Sequence, residues 1–387
     1  MKMNRCCPIK KYDVSIFEKI LVNLFFIFFT FQILSPYING KTIYLEVFIM
    51  SLNPYFVLWL INGKIKKKLF IIIYLSFLLL GILNIGIYLK LFTICILVIY
   101  FFYIWEKKLF YLEYYVIISV IFAVFQFIFL LINPSLAYII GPENISKVMW
   151  GKYATPTYTN FYTIFFIPRV SGLSREAGFL ASLICIVIFL LYIQRERENK
   201  RSSVILKIFL FIGYVLSFSK MSIIILFLIL IEKFKNYINK IPYVLIVIIY
   251  VVFWIVFWSY NKEYLLDPKN ITFLHRFGGY LTLTELNYKE LLFGVNSIEN
   301  IHSIYSYQCF ISGFNFFAGF AGFIISRGLV FTIIWLLFLF LIGVTPSGIL
   351  LLLLSTINVQ LDTNQNFVVL SYFIVFKYYL NRRYISK

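Results

Sequence analysis

Twelve apolar runs, most of them near the length of a membrane-spanning helix, alternate along this chain with short basic clusters. A helix that crosses a bilayer needs about 20 largely apolar residues, within a range of roughly 17–25. Inside the hydrocarbon only helices or closed barrels satisfy every backbone polar group. The runs fall at Ile16–Leu34, Thr42–Ile61, Leu69–Tyr88, Leu91–Trp105, Leu112–Ile132, Ala177–Ile193, Val204–Ser219, Met221–Ile231, Pro242–Trp258, Gly328–Gly343, Pro346–Asn358 and Phe367–Leu380. They predict an all-α polytopic integral membrane protein with about 12 transmembrane helices, a single membrane domain over residues 1–387. At 62% hydrophobic residues and a mean hydropathy of +0.90, the chain lies well outside the roughly 45–50% apolar usage of soluble domains.

The formal charge of +19 raises the question of nucleic acid, but the basic residues form no single face. They gather between the apolar runs at Lys10-Lys11, Lys64 to Lys68, Lys107-Lys108, Arg195 to Arg201, Lys233 to Lys240 and Arg382-Arg383. Cytoplasmic loops of membrane proteins carry this excess. With twelve spans and an inside N-terminus, all six clusters fall on one side, both termini are cytoplasmic, and no nucleic-acid partner is needed. This parity requires a break at Ser217–Lys220 within Val204–Ile231. It also requires the Gly-rich segment 310–326 to be a membrane-associated helix rather than a span. The first run follows a basic flank but lacks a small-x-small cleavage site, which predicts a retained anchor. In a background with the native cysteines replaced, a cysteine near Lys66 is expected to resist an impermeant thiol reagent applied to intact cells. A cysteine within Asn133–Glu176 is expected to react; labelling near Lys66 overturns the topology.

Two long external loops follow from this arrangement, Asn133–Glu176 and Ser259–Arg327, and long ordered loops are commonly functional. They carry the charges that break the inside bias: Arg169, Arg175, Arg276 and Arg327, with Lys220 at the same boundary. The densest group is Arg169-Val-Ser-Gly-Leu-Ser-Arg-Glu-Ala-Gly-Phe-Leu-Ala181, in which Arg169, Arg175 and Glu176 stand directly before an apolar run. Ionisable residues at a membrane helix mouth are functional candidates by default. Guanidinium gives phosphate a permanently charged, bidentate contact, so these arginines suit a lipid phosphate or diphosphate. Plainer roles exist for each. Lys220 can snorkel, Arg276 can be solvated beside His275, Arg327 can cap the helix after it, and His302 can be a surface histidine. Glu46, near the outer end of the second span, can pair with Lys41.

Other chemistries are excluded by what the chain lacks. No Gly-x-x-x-x-Gly-Lys-Ser/Thr loop is present to hydrolyse ATP. The three aspartates, Asp13, Asp267 and Asp362, form no Asp-x-Asp pair for a metal-bound sugar nucleotide. His275 and His302 have no metal-like spacing, and the five cysteines form no C-x-x-C pair. The sequence therefore predicts no metal and no cofactor, and chemistry carried by cations, a carboxylate or a lone histidine.

The Arg169–Ala181 segment resembles the Arg-x-x-Gly-Leu…Glu-Pro-x-x-Phe-Ala element of Wzy-type polysaccharide polymerases, the membrane enzymes of O-antigen, capsule and exopolysaccharide assembly. Leu216-Ser-Phe-Ser-Lys-Met-Ser222 resembles that family's Leu-x-x-Ser-Arg-x-x element, with Lys220 in place of arginine. His275-Arg276 and Leu291-Leu-Phe-Gly-Val295 resemble its second-loop arginine and Phe-Gly-Val/Ile-Gly element, and Gly328-Leu329 its glycine-opened helix. The likeness extends from about Arg169 to Gly343. It departs at Ala177, where the family has proline, and at Asn296, where it has glycine. His302-Ser-Ile-Tyr305 resembles the His-Asn-x-Tyr element of the related O-antigen ligases, but stands 26 residues before Gly328, and this favours polymerase over ligase.

The resemblance implies a bacterial cytoplasmic-membrane glycosyltransferase that joins undecaprenyl-diphosphate-linked oligosaccharide repeat units on the outer face. Arg169, Arg175, Lys220 and Arg276 would bind the lipid diphosphate. Glu176, Arg276 and His302 are the catalytic candidates, and a chain-length regulator and a flippase are the implied companions. Two other readings stand beside it: a lipid-linked oligosaccharide flippase with no bond-making activity, and an O-acyltransferase built on a histidine. Charges gathered at one face under two long loops favour the enzyme that binds diphosphate.

Overall fold

A computed structural model describes residues 14–38, 41–62, 85–156, 163–164 and 167–381. The Lys64–Lys68 loop, nearly all of the third expected span, Lys10-Lys11 and Arg382-Arg383 lie outside the described residues. The described chain is helical, with 18 α-helices and two short β-hairpins, Tyr37–Ile38 with Lys41–Thr42 and Thr163–Ile164 with Ile167–Pro168. Five helices are long and apolar enough to cross a membrane: Leu89–Glu106 (within Ile85–Glu106), Leu112–Ile132, Ala177–Glu198, Tyr243–Tyr260 and Gly319–Ile342.

Their burial sorts them into layers. In Ala177–Glu198 78% of the apolar window is buried, against 22% in Tyr243–Tyr260 and 28% in Leu112–Ile132. A helix apolar all round belongs at the centre, and the other two turn large faces toward lipid. Asn366–Tyr378 packs beside Ala177–Glu198 with every side chain from Asn366 to Val375 buried. Phe25, Phe29, Tyr100 and Phe101 stack around the Ile16–Thr30 helix on the flank of this core.

One end of the bundle collects the basic clusters. Arg197 donates to both oxygens of the buried Glu232 at 2.8 and 2.6 Å, and Lys235 and the Tyr379 hydroxyl add contacts of 2.6 Å each. Lys377 pairs with Glu198 at 3.0 Å and lies over the Trp105 ring, as Lys200 also does. The Lys107-Lys108, Arg195–Arg201 and Lys233–Lys240 clusters therefore share one end.

Several expected spans take a different form. Thr42–Ile61 is broken at Asn53, whose side chain caps a second helix opening on Pro54, giving Leu45–Ser51 and Pro54–Ile61. The break expected at Ser217–Lys220 is there: Val204–Ser217 ends on Phe218 at φ +38°, and Ile224–Ile238 follows a short turn. The single helix expected over 310–326 is not formed. Ile304–Ile311 ends there, a loop intervenes, and Gly319–Ile342 begins, bending at Gly328. The second expected external loop is thus largely helical, with Ile271–Thr282 and Tyr288–Phe293 also inside it.

Pro346–Ser355 and Asn366–Tyr378 are short, at 10 and 13 residues or about 15 and 20 Å. Both start or finish at the basic end, where Thr345 N–H donates to the Tyr379 carbonyl at 2.8 Å. They form a hairpin whose tip, residues 356–365, is largely buried inside the bundle.

Candidate functional site

The Arg169–Glu176 segment is a strap pinned into the bundle. Gln126 grips it from both sides: its amide nitrogen donates to the Gly172 carbonyl at 2.9 Å, and its amide oxygen accepts Gly172 N–H at 2.9 Å. Leu173 N–H donates to Ser119 Oγ at 3.2 Å, and Val170 N–H to the Leu216 carbonyl at 3.2 Å. The last contact puts the strap against the break between Val204–Ser217 and Ile224–Ile238. Gly172 sits at φ +57°, and a Cβ there would overlap the Ser119 carbonyl and stand 2.9 Å from its Oγ, so the close approach requires glycine.

Non-helical backbone meets here inside the bundle. Val204–Ser217 rises about 21 Å from the basic end to the strap, and the 356–365 tip reaches the start of Ala177–Glu198 through Asn358. Such backbone persists in a membrane only where it is buried in protein or lines a wet cavity. Gly319 N–H donates to the Val359 carbonyl at 3.2 Å, and Ala318 N–H to the His275 carbonyl at 2.8 Å. The strap, the hairpin tip, the Ile271–Thr282 helix and the start of Gly319–Ile342 therefore converge.

Glu176 opens Ala177–Glu198 with extended backbone, and its carboxylate turns over the first turn. A Cβ at Gly178 would stand 3.4 Å from Glu176 Oε1 and 3.8 Å from the Asn358 amide nitrogen. Arg276 faces the same place from Ile271–Thr282. Burial, offset by the Glu176 carboxylate and reinforced by the like charge of Arg169, pulls the Arg276 guanidinium down to about 10. It stays charged at neutral pH, and among the described residues no carboxylate lies within ion-pair distance of it. Two guanidiniums and one carboxylate thus share one field.

The other candidates separate. Arg175 turns away, donating to the Pro156 carbonyl at 3.3 Å and to Thr42 Oγ1 at 3.5 Å. Lys220 opens the turn Lys220–Ile223, and its side chain lies outside the described residues. His302 is exposed and lines a separate cleft of about 750 Å³ with Glu285, Glu299 and Tyr307. His275 stacks on Phe314 at 4.1 Å; burial and then Arg276 push its imidazole down to about 3, a neutral packing residue. Arg327 is held by Asp362, with Nε at 2.9 Å and Nη2 at 2.7 Å from Oδ2. It ties the Gly319–Ile342 helix to the 356–365 tip rather than merely capping a helix. Glu46 is fully buried and neither of its carboxylate oxygens accepts a hydrogen bond among the described residues; the Lys41 side chain lies outside them.

The sequence reading missed the hairpin tip. Asn358, Gln360, Asp362, Asn364, Gln365 and Asn366 are all buried. Gln360 donates to Ser326 Oγ at 2.8 Å and to the carbonyls of Phe317 and Gly322 at 3.1 Å each; Asn358 donates to Ser182 Oγ at 2.8 Å. The oxygens Asn358 Oδ1, Asp362 Oδ1, Asn364 Oδ1 and Gln365 Oε1 accept no hydrogen bond. Such orphaned acceptors are rare in a folded core and point to a donor-bearing ligand or to water. The signal was available: six amide or carboxyl side chains within nine residues, between two apolar runs too short to span comfortably.

Among the described residues no group of three His, Cys, Asp or Glu side chains is placed to hold a metal ion. Comparison with known protein families, curated proteins and solved structures finds no match to this chain.

Proposed function

We propose that this chain is a metal-independent glycosyltransferase of the Wzy type, which joins undecaprenyl-diphosphate-linked oligosaccharide units at the outer face of the bacterial cytoplasmic membrane. The observation that carries the reading is the meeting of Arg276, on the Ile271–Thr282 helix, with Arg169 and Glu176 of the strap inside a helical bundle. The placement of both termini and of the basic clusters on the cytoplasmic side is part of it.

In this reaction the acceptor hydroxyl oxygen bonds to the donor's anomeric carbon as the bond from that carbon to the diphosphate breaks. The hydroxyl proton passes to solvent and the lipid diphosphate leaves with its electron pair. Arg169 and Arg276 stabilise the charge that develops on it, commonly the largest catalytic term. Glu176 orients Arg276. The open acceptors of Asn358, Asn364 and Gln365 suit sugar hydroxyls, which are donors. A groove of about 940 Å³ with nearly all-apolar walls runs between Tyr243–Tyr260 and Gly319–Ile342, past Leu283 and Leu291, and offers a polyprenyl tail its own solvent. His302, in its separate cleft, has no part in this reading.

One feature favours the second reading, a flippase: transporters also bind substrate at broken helices near mid-membrane. Purified protein in liposomes separates the two. Given lipid-linked repeat units and a chelator, it is expected to yield a ladder of longer lipid-linked glycans. Translocation without chain growth sinks the enzyme, and growth that stops with chelator and returns with magnesium or manganese sinks its metal independence.

A further inference from the structure

At the basic end, on the opposite side of the bundle's depth from Arg276, a cleft of about 570 Å³ opens between Ala177–Glu198 and Val204–Ser217, closed behind by Ile225. Its mouth carries Arg195, Arg201, Lys207 and Ser202, and its walls are apolar, with Leu191, Leu210 and Phe211 among them. The neighbouring carboxylates are already engaged: Glu232 by Arg197 and Lys235, and Glu198 by Lys377. Among the described residues Arg195, Arg201 and Lys207 form no ion pair, and Glu196, exposed on the same turn, forms none either. Three cations thus face one free carboxylate at the mouth of an apolar slot.

Depth makes the combination specific. Lys207 lies in the first turn of Val204–Ser217, and Leu210 and Phe211 lie one turn deeper. Arg195 is in the last turn of Ala177–Glu198, with Leu191 one turn deeper. Charge therefore stands at headgroup level and the walls at acyl level. Free phosphate would use the mouth and leave the apolar slot unfilled.

We propose that this cleft holds one anionic phospholipid of the leaflet on the basic side, its phosphate at Arg195, Arg201 and Lys207 and an acyl chain along Leu210 and Phe211. Basic pockets between membrane helices take anionic headgroups by this chemistry, each cation adding severalfold to affinity. The bound lipid bridges Ala177–Glu198, which carries Glu176 at its far end, to Val204–Ser217, against which the strap rests.

The test uses the full chain purified in a non-ionic detergent, with lipid binding read by native mass spectrometry and by thermal midpoint; neither readout depends on polymer formation. Phosphatidylglycerol is expected to bind as a single retained adduct and to raise the midpoint by several degrees. Phosphatidylcholine and inorganic phosphate are expected to do neither. The triple variant Arg195→Gln/Arg201→Gln/Lys207→Gln should lose roughly a hundredfold in phosphatidylglycerol affinity. Leu191→Trp, which fills the slot and leaves every charge, should weaken the adduct as well. Equal binding of phosphatidylcholine, an equal shift with inorganic phosphate, or undiminished binding in the triple variant overturns the proposal. So does undiminished binding in Leu191→Trp.

Discussion

Replacing Arg276 by alanine is expected to lower polymer formation by about a hundredfold or more while the protein still accumulates in the membrane. The guanidinium is half-buried, faces the Glu176 carboxylate and shares its field with Arg169. Removing a preorganised group that meets developing charge costs on the order of 3–4 kcal/mol in the barrier, several times the roughly 0–1 kcal/mol of an exposed ion pair. Arg276→Lys keeps a point charge but loses the planar fork, so it should retain part of the activity if the ligand is a phosphate held bidentately. Arg169→Ala should fall nearly as far. The double variant should lose less than the product of the two losses, because groups that bind one diphosphate do not act independently. Ladder length and membrane protein level, measured together, check this. Normal ladders from well-accumulated Arg276→Ala would falsify the assignment of the site.

The parts of this site that carry charge were legible in the sequence because charge in an apolar chain is conspicuous. Arg169, Glu176 and Arg276 stood out against their neighbours, and the structure brings these three together. Arg175 stood out equally and is spent on Pro156 and Thr42, since proximity in sequence says nothing of which way a side chain turns. Gln126 could not be found: a single glutamine in an apolar helix has no local signature, and its partner Gly172 is 46 residues away. Asp362 and Arg327 were each visible and were never paired, because 35 residues and a helix separate them.

Hydropathy located the apolar runs but misjudged what some of them build. A run of 10–13 apolar residues reads as a short span, whereas Pro346–Ser355 and Asn366–Tyr378 are the two arms of a buried hairpin. The deciding information is the polar tip between them. Its amides are tolerable inside a membrane because Ser182, Ser326 and the backbone of Phe317 and Gly322 answer them. The same logic explains the segment 310–326. Its glycines serve close packing: a Cβ at Gly322 would overlap the Phe317 carbonyl.

Gly328→Ala is expected to be the most damaging single substitution to stability, and its cause lies in two stretches that the sequence singled out separately. Gly328 sits at φ +81° and ψ 163°, a conformation essentially reserved for glycine, which costs other residues about 1–3 kcal/mol. A Cβ there would also overlap the Leu292 carbonyl and stand 2.6 Å from the Phe293 carbonyl carbon. The facing residue, Gly294, is at φ +81° as well, and its own Cβ would stand 2.7 Å from Gly328 N. The Leu291–Val295 and Arg327–Leu329 elements are thus one backbone contact, closed by Val295 N–H on the Ile325 carbonyl at 2.8 Å. Relieving the overlap moves Arg327 away from Asp362, and a buried carboxylate stripped of its partner costs about 3–5 kcal/mol. Together these approach the 5–15 kcal/mol that holds a typical protein folded. Gly328→Ala should therefore fail to accumulate as a monodisperse species in detergent, and Gly294→Ala should follow it. Gly313→Ala is the control: φ is +89° there too, but nothing lies within 4 Å, so only the backbone strain of about 1 kcal/mol remains. Size-exclusion profiles and thermal midpoints of the three variants distinguish overlap from strain. If Gly328→Ala and Gly313→Ala melt together, the contact between the two elements does not hold the site.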